Sequence, residues 1–140
     1  MNIPWAGGQD PREQGIAQND DVVRARQQVR AYAQECKLSL VDQTKFITAA
    51  SELARNTLVY GGGGQMLAGL VERHGRRGVA AVFADSGPGI PDVDLALTDG
   101  WTSGGGLGLG LSGARRLVDE FDLDTEAGRG TTVSIVKWAR

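Results

Sequence analysis

Six of the ten residues from Gly104 to Gly113 are glycine, and smaller glycine clusters stand at Gly61–Gly64, Gly87–Gly89 and Gly128–Gly130. Glycine reaches backbone conformations closed to other residues and lets a second group come up against the main chain. These glycines are not scattered as in a flexible linker; they punctuate segments with clear apolar periodicity. A chain built this way is expected to fold as a domain whose loops converge on one ligand. Gly61–Gly64 and Gly128–Gly130 also read as ordinary tight turns. The Gly104–Gly113 run is too dense for that.

The segments between the glycines define the layers. Residues 1–12 carry Pro4, Gly7, Gly8 and Pro11 and read as a flexible N-terminal tail; residues 13–140 read as one domain. A short strand is expected over 13–18. Asp20 and Asp21 supply N-cap chemistry for a helix to about Cys36, with Val22, Val29, Tyr32 and Ala33 on its apolar face. Ser39 and Asp42 form a capping-box pattern that opens a second helix to about Tyr60, in which Phe46, Ile47, Ala50, Leu53, Ala54 and Leu58 keep 3.6-residue spacing. Gln65–Glu72 and Gly78–Ala84 read as strands joined through His74, Gly75, Arg76 and Arg77. A helical turn near Asp94–Thr98, a third helix from the glycine run to about Phe121, a short strand at Leu123–Glu126 and a last strand with Val133, Ile135 and Trp138 complete the chain. The fold class is an α/β two-layer sandwich of the α+β kind, three main helices on one face of a mostly antiparallel four- or five-stranded sheet.

Charge and cysteine usage narrow the setting. With 15 basic and 17 acidic residues the net charge is −2, which argues against broad charge-driven binding of nucleic acid or an anionic membrane. The single cysteine, Cys36, suits a reducing compartment. No apolar run approaches the ~20 residues that span a bilayer, and no signal-peptide layout opens the chain, so a cytoplasmic protein is expected.

Four places carry chemistry. Glu52 and Asn56 stand four apart, hence on one face of the second helix. An amide oxygen can hold Mg²⁺ while a neighbouring carboxylate orients or deprotonates an attacking hydroxyl, although the same pair on a solvated face would do nothing. Asp85-Ser86-Gly87-Pro88-Gly89-Ile90 follows a buried strand; its acid can accept a hydrogen bond from an exocyclic amine while the glycines admit a flat ring, and the same pattern also makes a common turn. Gly104-Gly105-Gly106-Leu107-Gly108-Leu109-Gly110-Leu111 runs into a helix, where glycines and free N–H groups form a phosphate cradle. Gly108, Gly110 and Gly113 match the spacing of the dinucleotide fingerprint, but the residues before them, 99–103, are loop-like where that fingerprint needs a strand. No Walker A lysine motif and no His-Arg-Asp kinase signature occurs. Thr131, opening the last strand after Gly128-Arg129-Gly130, can bond a base edge or a water shared with Asp85.

In this order the four elements resemble the boxes of the GHKL ATPases, which share the Bergerat fold. Ser51–Asn56, Asp85–Ile90, the stretch 99–111 and Asp119-Glu120-Phe121 look like those of the RsbT-type stressosome serine/threonine switch kinases, within the anti-sigma regulatory factor kinases. The likeness extends over residues 12–140. It implies ATP and Mg²⁺ as cofactors, Glu52 as catalytic base and Asn56 as Mg²⁺ ligand. It implies Asp85 as the adenine-reading acid, Gly87, Gly89 and Ile90 as the pocket, and Thr131 as the threonine of the last box. Gly104, Gly105, Gly106, Leu107, Gly108, Leu109 and Gly110 become the phosphate lid, with Trp101 at its edge.

The resemblance also implies partners: STAS-domain proteins phosphorylated on serine or threonine, and a PPM-type phosphatase activated by binding. One departure stands out. Longer-lidded relatives carry a basic lid residue, whereas Thr98–Leu107 holds no Lys or Arg; Arg55, Arg115 or Arg116 are the substitutes in view. The only histidine, His74, falls in an expected hairpin turn and is ill placed as a phosphoacceptor. Two other readings stay open, an ATPase clamp or histidine-kinase-like ATPase in which Glu52 activates water, and an anti-sigma or nucleotide-dependent binding module with little catalysis.

Overall fold

A computed structural model of the chain describes residues 1–8, 10–90, 93–97 and 110–140. Five strands, β1 (Arg12–Ile16), β2 (Gly64–Arg73), β3 (Arg76–Asp85), β4 (Glu120–Glu126) and β5 (Gly130–Trp138), form one antiparallel sheet of order β1-β2-β3-β5-β4. Helices α1 (Asn19–Glu35), α2 (Leu40–Val59) and α4 (Gly110–Arg116) cover one face, and α3 (Val93–Ala96) is a single turn beside α4. This is the two-layer arrangement that the periodicity predicts.

The core lies between the helices and alternate residues of the central strands. Val22, Ala25, Val29 and Ala33 of α1 and Phe46, Ala49, Ala50, Leu53 and Ala54 of α2 pack on Met66, Ala68, Val79, Ala81, Phe83, Val133 and Ile135. The opposite residues, Val71, Ala80, Val136 and Trp138, would otherwise face water. Ile3 and Trp5 cover them. Residues 1–12, expected as a flexible tail, thus include a segment bonded to β2: Ala6 N–H donates to Leu70 O at 2.8 Å and Glu72 N–H to Pro4 O at 3.0 Å. Partial burial of one aliphatic and one aromatic side chain, Ile3 and Trp5, favours this packing, which the prolines and glycines nearby conceal.

Three local expectations need correction. The first helix begins at Asn19, and Asp21 caps it from inside the first turn, its Oδ2 accepting the N–H groups of Ala17 (2.9 Å) and Gln18 (3.2 Å). Those bonds, the Ala17 one foremost, hold its carboxyl below the usual carboxylate range. Asp21 therefore adds stability at neutral pH that is lost as pH falls through its lowered folded-state value. In denaturation series taken from pH 7 downward, the gap between the wild type and Asp21→Asn should close below about pH 4.

The hairpin turn is the two residues His74 (φ 53°) and Gly75 (φ 79°), both left-handed as a tight hairpin demands, so β2 and β3 are each longer than expected. The third helix stops at Arg116 rather than near Phe121. Asp119 N–H already donates to Val136 O at 2.9 Å, and Phe121 pairs with Ile135, so sheet hydrogen bonds claim this stretch from the helix.

Asp119 also ties the sheet edge to α2. Its Oδ2 accepts Trp138 N–H at 2.8 Å and its Oδ1 accepts Arg140 Nη2 at 2.6 Å. Lys137, buried, lies 3.6 Å from Asp119 and 3.7 Å from Asp42. Asp119→Ala should lower unfolding free energy by about 2 kcal/mol in urea denaturation, because it strands a backbone donor and removes one counter-ion of a buried ammonium. Asp119→Asn, which keeps an acceptor for Trp138, should recover part of the loss.

Candidate functional site

At one end of the sheet the register sets four residues in a cross-strand row. Gly64 of β2 pairs with Asp85 of β3, Asp85 with Thr131 of β5, and Thr131 with Thr125 of β4. Asp85 lies two positions beyond Phe83, and Thr131 two before Val133, so by strand alternation both face the helix layer. The C-terminal end of α2 meets this row: Gly63 N–H donates to Thr57 O at 2.9 Å, and Asn56 O accepts Tyr60 N–H (3.0 Å) and Gly61 N–H (3.1 Å).

The Asp85 carboxylate is held from both sides. Its Oδ1 accepts Gly87 N–H at 2.9 Å, which folds the loop back on the acid. Gly61 abuts its other flank so closely that a Cβ there would sit 2.4 Å from Asp85 Cγ, and a Cβ on Gly87 would sit 2.8 Å from Gly61 Cα. Among the described residues nothing donates to Oδ2, so that oxygen is available to a ligand amine. Gly61 is thus a close-approach position and not merely the start of a turn.

The β4–β5 hairpin pins the rest of the loop. Gly128 N–H donates to Pro88 O at 2.8 Å, and Gly89 (φ 77°) passes Glu126 with no room for a Cβ. Ile90 N–H donates to Thr125 Oγ1 at 2.9 Å, and the Thr125 and Thr131 hydroxyls lie 2.9 Å apart. Gly130 (φ 118°) runs beside Asp85 O, where a Cβ would sit 2.1 Å away. Thr125 and Gly61 are the residues that reading the sequence missed. Thr125 stands in an unremarkable Asp-Thr-Glu, and only its pairing with Thr131 brings it to the site.

The structure therefore brings Asp85, Gly87, Gly89, Ile90 and Thr131 together, with Asn56 beside them through Gly61. Glu52 lies one turn earlier on α2, half-buried, and makes no hydrogen bond or ion pair among the described residues. Gly110 starts α4 with φ 66°. Trp101 and the other expected lid residues, Gly104, Gly105, Gly106, Leu107, Gly108 and Leu109, lie outside the described residues. Of the three arginines considered for the phosphates, Arg115 and Arg116 fall in the last turn of α4, while Arg55 faces the groove between α1 and α2. His74 sits at the far end of the ten-residue β2–β3 hairpin from Asp85, about 30 Å away at strand rise, and cannot serve this site within one molecule.

What these residues suit is a purine nucleotide: a fixed carboxylate with one free oxygen, glycine backbone beside it and two hydroxyls along the rim. Among the described residues no group of three or more His, Cys, Asp or Glu forms a metal cage. No helix among the described residues is long and apolar enough to cross a membrane.

Comparison with known proteins agrees with this geometry. Residues 41–139 match the family model of histidine kinase-, DNA gyrase B- and HSP90-like ATPases. Over 120 residues the chain is 46% identical to the serine/threonine-protein kinase RsbT of Bacillus subtilis, covering 86% of this chain and 90% of that one. Its fold is similar to a solved structure of the RsbU and RsbW domains of a Mycobacterium tuberculosis protein, with a TM-score of 0.64 and 22% identity. That alignment covers 94% of this chain and 33% of the larger one.

Proposed function

Because the chain belongs to the histidine kinase-, DNA gyrase B- and HSP90-like ATPase family, we propose that it binds Mg-ATP at this end of the sheet and phosphorylates serine or threonine on a partner protein. Identity of 46% with a serine/threonine-protein kinase, over nearly the whole of both chains, supports a kinase over an ATP-hydrolysing clamp.

The observation that carries the reading is the contrast between two carboxylates. Asp85 is fixed by Gly87 N–H and walled by Gly61, a group built to read a ligand. Glu52 makes no hydrogen bond or ion pair among the described residues, a carboxylate left free to meet an incoming hydroxyl. In this scheme Asp85 Oδ2 accepts a hydrogen bond from the adenine amine, Thr131 contacts the base edge, and Gly87, Gly89 and Ile90 form the wall. Asn56 would offer its side-chain oxygen to Mg²⁺, which when bound would supply charge neutralisation on the phosphates. Glu52 accepts the proton of the attacking hydroxyl as its oxygen bonds to the γ-phosphorus; the bond to the bridging oxygen breaks and ADP departs. Positioning and charge neutralisation are the main demands of such a transfer.

The substrates we propose are STAS-domain proteins in a cytoplasmic partner-switching pathway, with a PPM-type phosphatase activated by binding. Incubation with Mg-ATP and candidate STAS proteins, followed by mass spectrometry of the phosphorylated site, tests this. Phosphoserine or phosphothreonine on a STAS protein supports it. Inorganic phosphate released with no protein modified would favour the clamp reading, and nucleotide-dependent binding without turnover the binding-module reading.

A further inference from the structure

Away from the sheet end, α1 and α2 leave an open groove of about 650 Å³ between them. Arg26 and Arg30 of α1 line one side; Ile47, Ser51, Glu52 and Arg55 of α2 line the other. We propose that this groove docks an acidic segment of the protein substrate next to its phosphoacceptor residue, an inference that rests on the kinase reading above.

Charge is the first argument. Three arginines against one glutamate leave +2 in the groove (3 − 1), in a chain whose net charge is −2. Arg24, Arg73, Arg129 and Arg140 are ion-paired with carboxylates of the same chain, while among the described residues Arg12, Arg76, Arg77 and Arg115, like the groove arginines, are not. Among the described residues Arg26, Arg30 and Arg55 have no carboxylate within ion-pair reach. Three neighbouring cations without internal counter-ions form a surface complementary to carboxylates from outside.

Geometry is the second. Arg26 Nε donates to Ser51 Oγ at 2.9 Å, and Ser51 in turn donates to Ile47 O at 2.8 Å, so one guanidinium is locked at the groove floor in a half-buried setting. An anchored fork loses little freedom on gripping a carboxylate, and partial burial strengthens the attraction. Arg30 follows Arg26 by one turn, a rise of about 6 Å, which suits acids on a facing extended or helical segment. Exposed apolar side chains stand outside the groove lining near the ends of the same two helices, Val23 (45%) on α1 and Leu40 (78%), Val41 (64%) and Val59 (59%) on α2. A free anion has no use for them, whereas a peptide with flanking apolar residues does. Position is the third argument. Glu52, the proposed base, lines this same groove, so a segment seated on the arginines lies next to the hydroxyl being phosphorylated.

Binding of labelled peptides to the full chain, read by fluorescence anisotropy, tests the proposal without requiring turnover. One peptide carries a serine flanked by glutamates, its counterpart has lysines instead, and a single-stranded oligonucleotide of matched charge is the third probe. The glutamate peptide should bind most tightly and weaken as salt rises. Arg30→Glu should weaken it by about 10-fold or more and improve the lysine peptide, with melting temperature unchanged. Equal binding of the two peptides, tighter binding of the oligonucleotide, or an Arg30→Glu protein that binds like the wild type overturns the assignment. Glutamate-peptide binding through Arg30 in a chain that phosphorylates no protein would remove the kinase reading and leave an acidic-peptide groove.

Discussion

Glu52→Gln should lower phosphotransfer by about 100-fold or more while leaving ATP affinity unchanged. Glutamine keeps the length and the hydrogen-bonding capacity of the side chain but cannot take a proton at neutral pH. The substitution should also be benign to the fold, since Glu52 forms no hydrogen bond or ion pair among the described residues and lies on the outer side of α2 from the core residues Leu53 and Ala54. Nucleotide binding should be spared because Asp85, Gly87 and Thr131 lie at the sheet end, beyond the last turn of α2. A single-turnover assay with saturating Mg-ATP and a STAS substrate separates the chemical step from binding. Transfer at the wild-type rate would remove Glu52 from the mechanism. Loss of ATP binding together with transfer would mean that it holds the nucleotide instead.

How far the sequence foretold this site depends on whether the information is local. Helices α1 and α2 were legible because burial follows their period: Val22, Val29 and Ala33, then Phe46, Ala50, Leu53 and Ala54, are core residues at the expected spacing. The cap at Ser39 was legible for the same reason, since its hydroxyl needs only the N–H of Asp42, three residues away, at 3.1 Å. The end of α4 was not, because what stops it is β5, whose carbonyl at Val136 takes the Asp119 N–H across the chain. The docking of Ile3 and Trp5 was hidden likewise, since their partners Val71, Ala80 and Val136 are distant in sequence. Within the site, Asp85 and the glycines of its loop announce themselves by composition. Thr125 does not, as its role comes from register alone, a row of pairs that exists only once β3, β5 and β4 are aligned. Gly61 reads in sequence as part of a turn, because the demand on it is space beside Asp85, which no local pattern records.

That demand gives the sharpest test of the nucleotide end. Gly61→Ala should weaken ATP binding by about 10- to 100-fold, the loss expected when one hydrogen bond to a charged group is forfeited. A methyl at this position would lie 2.4 Å from Asp85 Cγ and 2.6 Å from its Oδ2, distances that no packed structure sustains. The carboxylate must turn away, and with it the oxygen proposed to accept the adenine amine. Gly61 has no positive φ, unlike Gly62 (φ 74°) and Gly63 (φ 104°), so alanine meets no left-handed backbone and the effect should fall mainly on the Asp85 side chain and on binding. Gly64→Ala supplies the contrast. Its Cβ would meet the backbone carbonyl of Ala84 at 2.0 Å and Thr57 Cγ2 at 2.9 Å, so the sheet itself must give and stability should suffer. Isothermal titration with ATP and GTP, alongside thermal melts, distinguishes the two. Gly61→Ala should lose affinity and the preference for ATP over GTP, as Asp85→Ala should, at a smaller cost in melting temperature than Gly64→Ala, because its new methyl meets a side chain, Asp85 Cβ at 2.6 Å included, and not a strand carbonyl. ATP affinity equal to the wild type in both Gly61→Ala and Asp85→Ala would dissociate this acid from the base and move the adenine pocket elsewhere on the fold.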